Sequence, residues 1–111
     1  MLPTPNTLLL LVDGSSQREV VVAHSPFTIG RSPDRDLVLP YPYISRNHGE
    51  IVYEGGQFHL VDCGSKSGTY VNGKRVERQT LIPNDVIRLG TLQGPLLRFG
   101  KADDTTSVLS G

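Results

Sequence analysis

The 111-residue sequence predicts an all-β domain, and three observations carry that prediction. Short apolar runs rich in β-branched residues recur along the chain. Turn pairs such as Asp13-Gly14, Gly55-Gly56 and Asn72-Gly73 separate them. No stretch longer than about ten residues holds apolar positions at helical spacing, and 12 glycines and 8 prolines interrupt the chain too often to permit one. Short strands with turns this dense imply a two-sheet β-sandwich, with a barrel as the alternative closure.

The elements follow in order. Thr7 to Val12 forms a strand that stops at Asp13-Gly14, and Glu19 to Ala23 supplies the next, rich in β-branched residues. Phe27-Thr28-Ile29 alternates into Gly30-Arg31, and Leu37-Val38-Leu39 is stopped by Pro40 and Pro42. Glu50 to Tyr53 turns at Glu54-Gly55-Gly56 into Gln57 to Val61. Thr69-Tyr70-Val71 meets Asn72-Gly73, beyond which Arg75-Val76-Glu77 resumes. Val86 to Leu89 and Leu96 to Phe99 complete the series. One domain over residues 7–100 is expected, between a flexible N-terminus over 1–6 and a flexible acidic, threonine-rich tail over 101–111.

Composition narrows the function classes. Hydrophobic residues make up 37%, enough for an ordinary core, and 11 basic residues balance 11 acidic ones. A nucleic-acid binder needs a basic face, so nucleic acid is not an expected partner. Leu8 to Val12 is too short to span a bilayer and lacks the flanks of a signal peptide. Cys63 is the single cysteine, so no intrachain disulfide can form and a cysteine-only zinc site is excluded. A soluble, cytoplasmic protein without membrane contact, metal or cofactor is the expectation.

Three loop segments stand out: Gly30-Arg31, Ser45-Arg46-Asn47-His48, and Asp62 to Thr69 followed by Asn72-Gly73. Each joins strands, and loops gathered at one end of a rigid β scaffold are where binding residues concentrate. Arg31, Ser45, Arg46 and Lys66 offer guanidinium, hydroxyl and ammonium donors with little acid among them. A phosphate dianion needs that mixture, and the glycine turns at Gly64 and Gly68 can aim N–H groups at an anion.

Gly-Arg, then Ser-Arg-x-His, then Asp-x-x-Ser-x-x-Gly-Thr-Tyr-Val-Asn-Gly, in that order, resemble the forkhead-associated (FHA) domain over roughly residues 7–100. The resemblance implies an eleven-stranded sandwich that holds phosphothreonine peptides in loops at one end and serves Ser/Thr kinase signalling. It implies that Arg31 and Ser45 contact the phosphate, with Arg46, Lys66 and Ser67 adding contacts to phosphate or peptide. Gly30, His48, Gly68, Thr69 and Asn72 correspond to residues that hold the loops in shape. A small pocket for the threonine methyl is implied too. Where this chain has Ser67 the family usually carries asparagine, whose amide can donate and accept at once. Serine reaches less far, so altered peptide-backbone contacts are expected. A phosphate-independent docking or homotypic module is the alternative function.

Several residues admit other readings. Arg46 is either a phosphate contact or a solvated charge, and Lys66 can serve through its backbone N–H as well as its amine. His48 with Ser45 suggests catalysis, but residues three apart on an extended strand face opposite ways and no orienting acid follows, so no enzyme is expected. Gly68 to Lys74 nearly matches a P-loop, yet Arg75 stands where a Ser/Thr would bind magnesium. Asp104-Thr105-Thr106-Ser107-Val108-Leu109 resembles an acidic-Thr-Thr-Ser phosphoacceptor, which makes Thr105 and Thr106 candidate phosphoacceptors. Through them the phosphorylated tail would bind a neighbouring copy in trans.

Overall fold

A computed structural model describes residues 6–12 and 16–100; of residues 9–12 and 16–17 it describes the backbone alone. The tail, with Thr105 and Thr106, and all of the N-terminal segment except Asn6 lie outside the described residues. Asn6 is tied to Val22, whose N–H donates to the Asn6 carbonyl at 2.7 Å.

Among the described residues, eleven strands make up two sheets. They are β1 (Thr7–Val12), β2 (Ser16–Val21), β3 (Phe27–Gly30), β4 (Leu37–Val38), β5 (Gly49–Glu54), β6 (Gln57–Asp62), β7 (Thr69–Val71), β8 (Lys74–Arg75), β9 (Arg78–Thr80), β10 (Val86–Leu89) and β11 (Leu96–Phe99). One sheet has the order β2-β1-β11-β10-β7-β8 and the other β4-β3-β5-β6-β9. The expected sandwich is therefore present, and no helix occurs among the described residues.

Alternation in the sequence becomes burial in the structure. Ile87 and Leu89 of β10 point inward while Val86 and Arg88 stay half-exposed, and β11 repeats this with Leu97 and Phe99. Ile29, Ile51 and Leu60 meet them from the other sheet, all fully buried. Phe58 and Phe99 join the two layers edge to face, ring centroids 5.4 Å apart. Each such side chain contributes about 1.5–3 kcal/mol through burial, so the core supplies the rigidity on which the loops rest.

All pairings are antiparallel except β3 with β4, which run parallel with Ile29 opposite Leu37. Parallel neighbours ordinarily need a long crossover. Here residues 31–36 fold straight back along β3, and Asp36 closes the return by accepting the N–H of Thr28 at 2.8 Å and its hydroxyl at 2.9 Å. Arg31 is thereby carried to the tip of the sheet. Asn72-Gly73 forms the expected two-residue hairpin between β7 and β8, with φ of 53° and 84°. Asn72 also joins that hairpin to β10, accepting the Val86 N–H and donating to Asp85, each at 3.0 Å.

Candidate functional site

The register of the central strands gathers three loops at one end. Gly49 at the start of β5 lies opposite both Ile29 of β3 and Asp62 of β6, and Thr69 at the start of β7 lies opposite Leu89 of β10. The segments carrying Arg31, Ser45 and Lys66 therefore leave the sandwich side by side. Between them is a cleft of about 170 Å³, lined by Arg31, Pro42, Tyr43, Ile44, Ser45, Lys66 and Ser67. That is smaller than a typical small-molecule pocket of about 300–1,000 Å³ and suits a single side chain or anionic group.

Arg31 is fixed before any ligand arrives. Its Nε donates to the Ile44 carbonyl at 2.9 Å, and its backbone N–H to the Ser45 carbonyl at 3.0 Å. Both Nη groups are left without a hydrogen-bond partner among the described residues, so they remain available to an anion. Ser45 Oγ accepts the Lys66 N–H at 3.1 Å, which leaves its own proton free to donate. No carboxylate lines the cleft. A fixed guanidinium beside a hydroxyl donor, with Lys66 in the lining, is the donor chemistry that suits a compact dianion.

The supporting residues act through the backbone. The closeness of Gly30 to the loop carrying Arg46 is absolute, since a Cβ there would collide with the Arg46 carbonyl. His48 is fully buried. Its Nδ1 accepts the Ser45 N–H at 3.0 Å, so Nε2 carries the proton and donates to the Gly68 carbonyl at 2.7 Å. Both ring nitrogens are thus committed to backbone groups, and the histidine faces the Ser45 amide instead of its hydroxyl. Gly68, at φ of 102°, turns the third loop so that its carbonyl also receives the Gly90 N–H at 2.9 Å.

Asp62 organises that third loop. Its Oδ2 accepts the N–H groups of Gly64 and Ser65 at 3.0 Å each, while Oδ1 accepts the hydroxyls of Ser65 at 2.5 Å and Thr69 at 2.6 Å. Ser65 Oγ in turn accepts the Gly68 N–H at 3.0 Å. Burial alone would raise the Asp62 carboxyl, but the Ser65 and Thr69 hydroxyls and the Ser65 N–H outweigh it and hold the group below its ordinary 3.8. A depressed folded value means that this stabilisation is fully present above 3.8 and is lost as pH falls through the lower folded value. Amide exchange at Gly64, Ser65 and Gly68 should therefore quicken relative to the β-sheet core as pH falls from about 5 to below 3. Loop and core amides that keep a constant ratio across that range would contradict this role for Asp62.

The expected site residues do not all converge. Arg31, Ser45, Lys66 and Ser67 line the cleft, with Gly30, His48, Gly68 and Thr69 directly behind it. The Arg46 side chain is exposed and outside the lining, although its carbonyl accepts the Ser32 N–H at 3.3 Å. Asn72 stands at the far end of β7, three residues and about 10 Å of strand beyond Thr69. Ser67 lines the cleft, and its carbonyl accepts the Tyr70 hydroxyl at 3.2 Å.

The sequence reading missed the apolar wall. Pro42, Tyr43 and Ile44 line the cleft, with Tyr43 stacked on Tyr41 at 5.7 Å and packed against Gly90. Their position just before Ser45 was the available signal. Asp62 was seen as part of a loop, but its role as the loop's hub was not. Among the described residues, no cluster of three or more His, Cys, Asp or Glu could hold a metal ion. Among the described residues, no helix is long and apolar enough to cross a membrane.

Known proteins resemble this chain in sequence and in fold. A family model described as the FHA domain matches residues 27–90. The glycogen accumulation regulator GarA of Mycolicibacterium smegmatis is 36% identical over 107 residues, covering 96% of this chain and 68% of that protein. The oxoglutarate dehydrogenase inhibitor of Corynebacterium efficiens is 36% identical over 90 residues, covering 80% of this chain and 63% of its own length. Among solved structures, an FHA chain from a study of phosphothreonine-dependent FHA domain interactions superposes with a TM-score of 0.74 at 32% identity, covering 86% of this chain and 97% of that one. The FhaA FHA domain in complex with the intracellular domain of Rv3910 gives 0.72 at 34% identity, covering 83% and 98%.

Proposed function

The chain belongs to the FHA domain family, and from that premise we propose that it is a phosphothreonine-dependent interaction module whose cleft holds the phosphate of a partner protein. The observation that carries the reading is Arg31, locked through Nε by the Ile44 carbonyl, with neither Nη group bonded among the described residues, in a cleft that Ser45 also lines. Arg31 and Ser45 bind the phosphate oxygens, and the Lys66 ammonium adds charge. The Pro42-Tyr43-Ile44 wall offers apolar contact to the threonine methyl, which distinguishes phosphothreonine from phosphoserine. Arg46 and Ser67 contact the peptide at the rim. Gly30, His48, Gly68 and Thr69 hold the loops, and Asn72 anchors the strand behind them. The module performs no chemistry on its ligand and needs no cofactor.

The partner is a phosphorylated protein made by a cytoplasmic Ser/Thr kinase. The names of the two relatives, a regulator and an enzyme inhibitor, suit a protein that acts by binding others. Thr105 and Thr106 lie outside the described residues; phosphorylated, they supply a ligand that a second copy binds in trans.

The test is a titration of the isotopically labelled domain with matched threonine and phosphothreonine peptides, the tail peptide 102–111 among them. Saturable shifts at Arg31, Ser45 and residues 65–69 are expected with the phosphorylated forms alone. Equal affinity for both forms would favour the phosphate-independent docking module, in which Ser67 marks a site that has lost phosphate recognition. Phosphate's second pKa lies near 6, so binding should weaken as pH falls from about 7.5 to 5 and the dianion is lost. Affinity constant over that range, measured by calorimetry, would exclude dianion recognition.

A further inference from the structure

Arg75 is a cation beside the ligand loops to which no role has been assigned. After the Asn72-Gly73 turn, β8 runs back toward the ligand end, and Arg75 pairs with Tyr70 across the hairpin. Its side chain then reaches Gly68. A Cβ placed on Gly68 would lie 3.0 Å from Arg75 Nε and 3.1 Å from Cζ, so the guanidinium occupies the space that the missing side chain leaves. The Tyr70 hydroxyl borders the same space at 3.2 Å and donates to the Ser67 carbonyl. Ser67 lines the cleft, so Arg75 sits next to the rim, one residue away from it.

Its electrostatic situation is unusual for a residue so placed. Arg75 is exposed on an edge strand, and among the described residues its side chain has neither an ion pair nor a hydrogen bond. The ion pairs among the described residues are His24 with Asp36, Arg35 with Asp34 and Arg78 with Glu54, and none of them includes Arg75. A guanidinium seated against backbone, with its stem ordered and its donors open, loses little freedom on meeting an anion.

We propose that Arg75, seated in the space over Gly68, is a second anion-recognition point of the ligand surface. It favours phosphothreonine peptides that carry a further anionic group beside the phosphothreonine. The proposal rests on the reading of the cleft given above. A carboxylate and a second phosphate share the required chemistry. An extended peptide advances about 3.3 Å per residue, so a ligand held at Arg31 and passing over Ser67 brings a nearby side chain to Arg75.

The experiment measures affinities of a neutral phosphothreonine peptide and of two series derived from it. Glutamate is moved through the three positions on either side of the phosphothreonine, and phosphoserine is moved likewise. Each is titrated into the wild-type protein, Arg75→Gln and Arg31→Ala, with thermal unfolding confirming that the variants are folded. At one or more positions the anionic peptide should bind wild type roughly threefold to fivefold tighter than the neutral one, the scale of a partly exposed ion pair. Arg75→Gln should abolish that gain and leave the neutral peptide within about twofold of wild type, whereas Arg31→Ala should weaken every peptide. A gain confined to the phosphoserine series identifies a second phosphate as the ligand, and one shared by both series identifies any anion. The proposal is overturned if no position shows a gain, if the gain survives in Arg75→Gln, or if that variant weakens the neutral peptide equally. Should wild type bind no phosphothreonine peptide at all, the reading of the cleft falls and takes this proposal with it.

Discussion

Arg31→Ala is expected to weaken phosphothreonine-peptide binding by at least about 2 kcal/mol, roughly thirtyfold, with little change in the unfolding temperature. Hydrogen bonds to charged groups are worth about 1.5–3 kcal/mol each, and the two open Nη groups can make more than one. The bond from Nε to the Ile44 carbonyl is also lost, but that carbonyl lies beside a cleft that water can enter, so the fold is spared most of the cost. Arg31→Lys sharpens the test. Lysine keeps the charge but cannot donate sideways to Ile44 while directing a planar pair of N–H groups forward. It should fall between wild type and alanine. Calorimetric titration with one phosphothreonine peptide reads all three proteins, and wild-type affinity in Arg31→Ala would remove Arg31 from the site.

The residues of the candidate cleft were legible in the sequence because their side chains are chemically distinctive and their loops are bounded by clear strands. Strands whose inward residues are apolar announced themselves: β10 and β11 begin and end where the alternation does. β9 did not, because Arg78-Gln79-Thr80 contains no apolar residue. Its existence depends on pairing with His59, Leu60 and Val61 of β6, a tertiary contact that no local pattern encodes. β2 begins at Ser16, earlier than its run of valines, because β1 extends the ladder from Thr7 opposite Val21 to Val12 opposite Ser16. β8 begins at Lys74 and ends at Arg75, since the hairpin turn fixes the register, and Val76 then bonds back to Thr69.

What stayed hidden at the site follows the same logic. Gly68 was legible as a loop glycine, but its second purpose, giving space to Arg75, depends on two strands meeting. The Pro42-Tyr43-Ile44 wall was hidden because apolar residues in a loop carry no periodic signal. Its placement depends on Tyr43 packing against Gly90, which is contributed by a different sheet.

His48→Ala is expected to cost about 3 kcal/mol of stability and to lower the unfolding temperature by more than about 10 °C. Deleting a fully buried ring leaves a cavity, and large-to-alanine core changes cost about 2–5 kcal/mol. The hydrogen-bond losses are unequal. The Gly68 carbonyl keeps the Gly90 N–H at 2.9 Å, but the Ser45 N–H, bonded to Nδ1 at 3.0 Å, is left with nothing to replace it. Two conservative variants separate these losses. Asparagine places an amide oxygen near the position of Nδ1 and can still accept from Ser45, whereas glutamine places its amide nearer Nε2 and can still donate to Gly68. Because the Ser45 amide has the single partner, His48→Asn should retain more stability than His48→Gln, and both should exceed alanine. Peptide affinity should follow the same order, since Ser45 must hold its hydroxyl toward the phosphate. Thermal unfolding ranks the three variants, and amide protection at Ser45 locates the effect. The reverse order would mean that the joint lies at Gly68, with the loop of residues 63–68 held chiefly by His48 and not by Asp62.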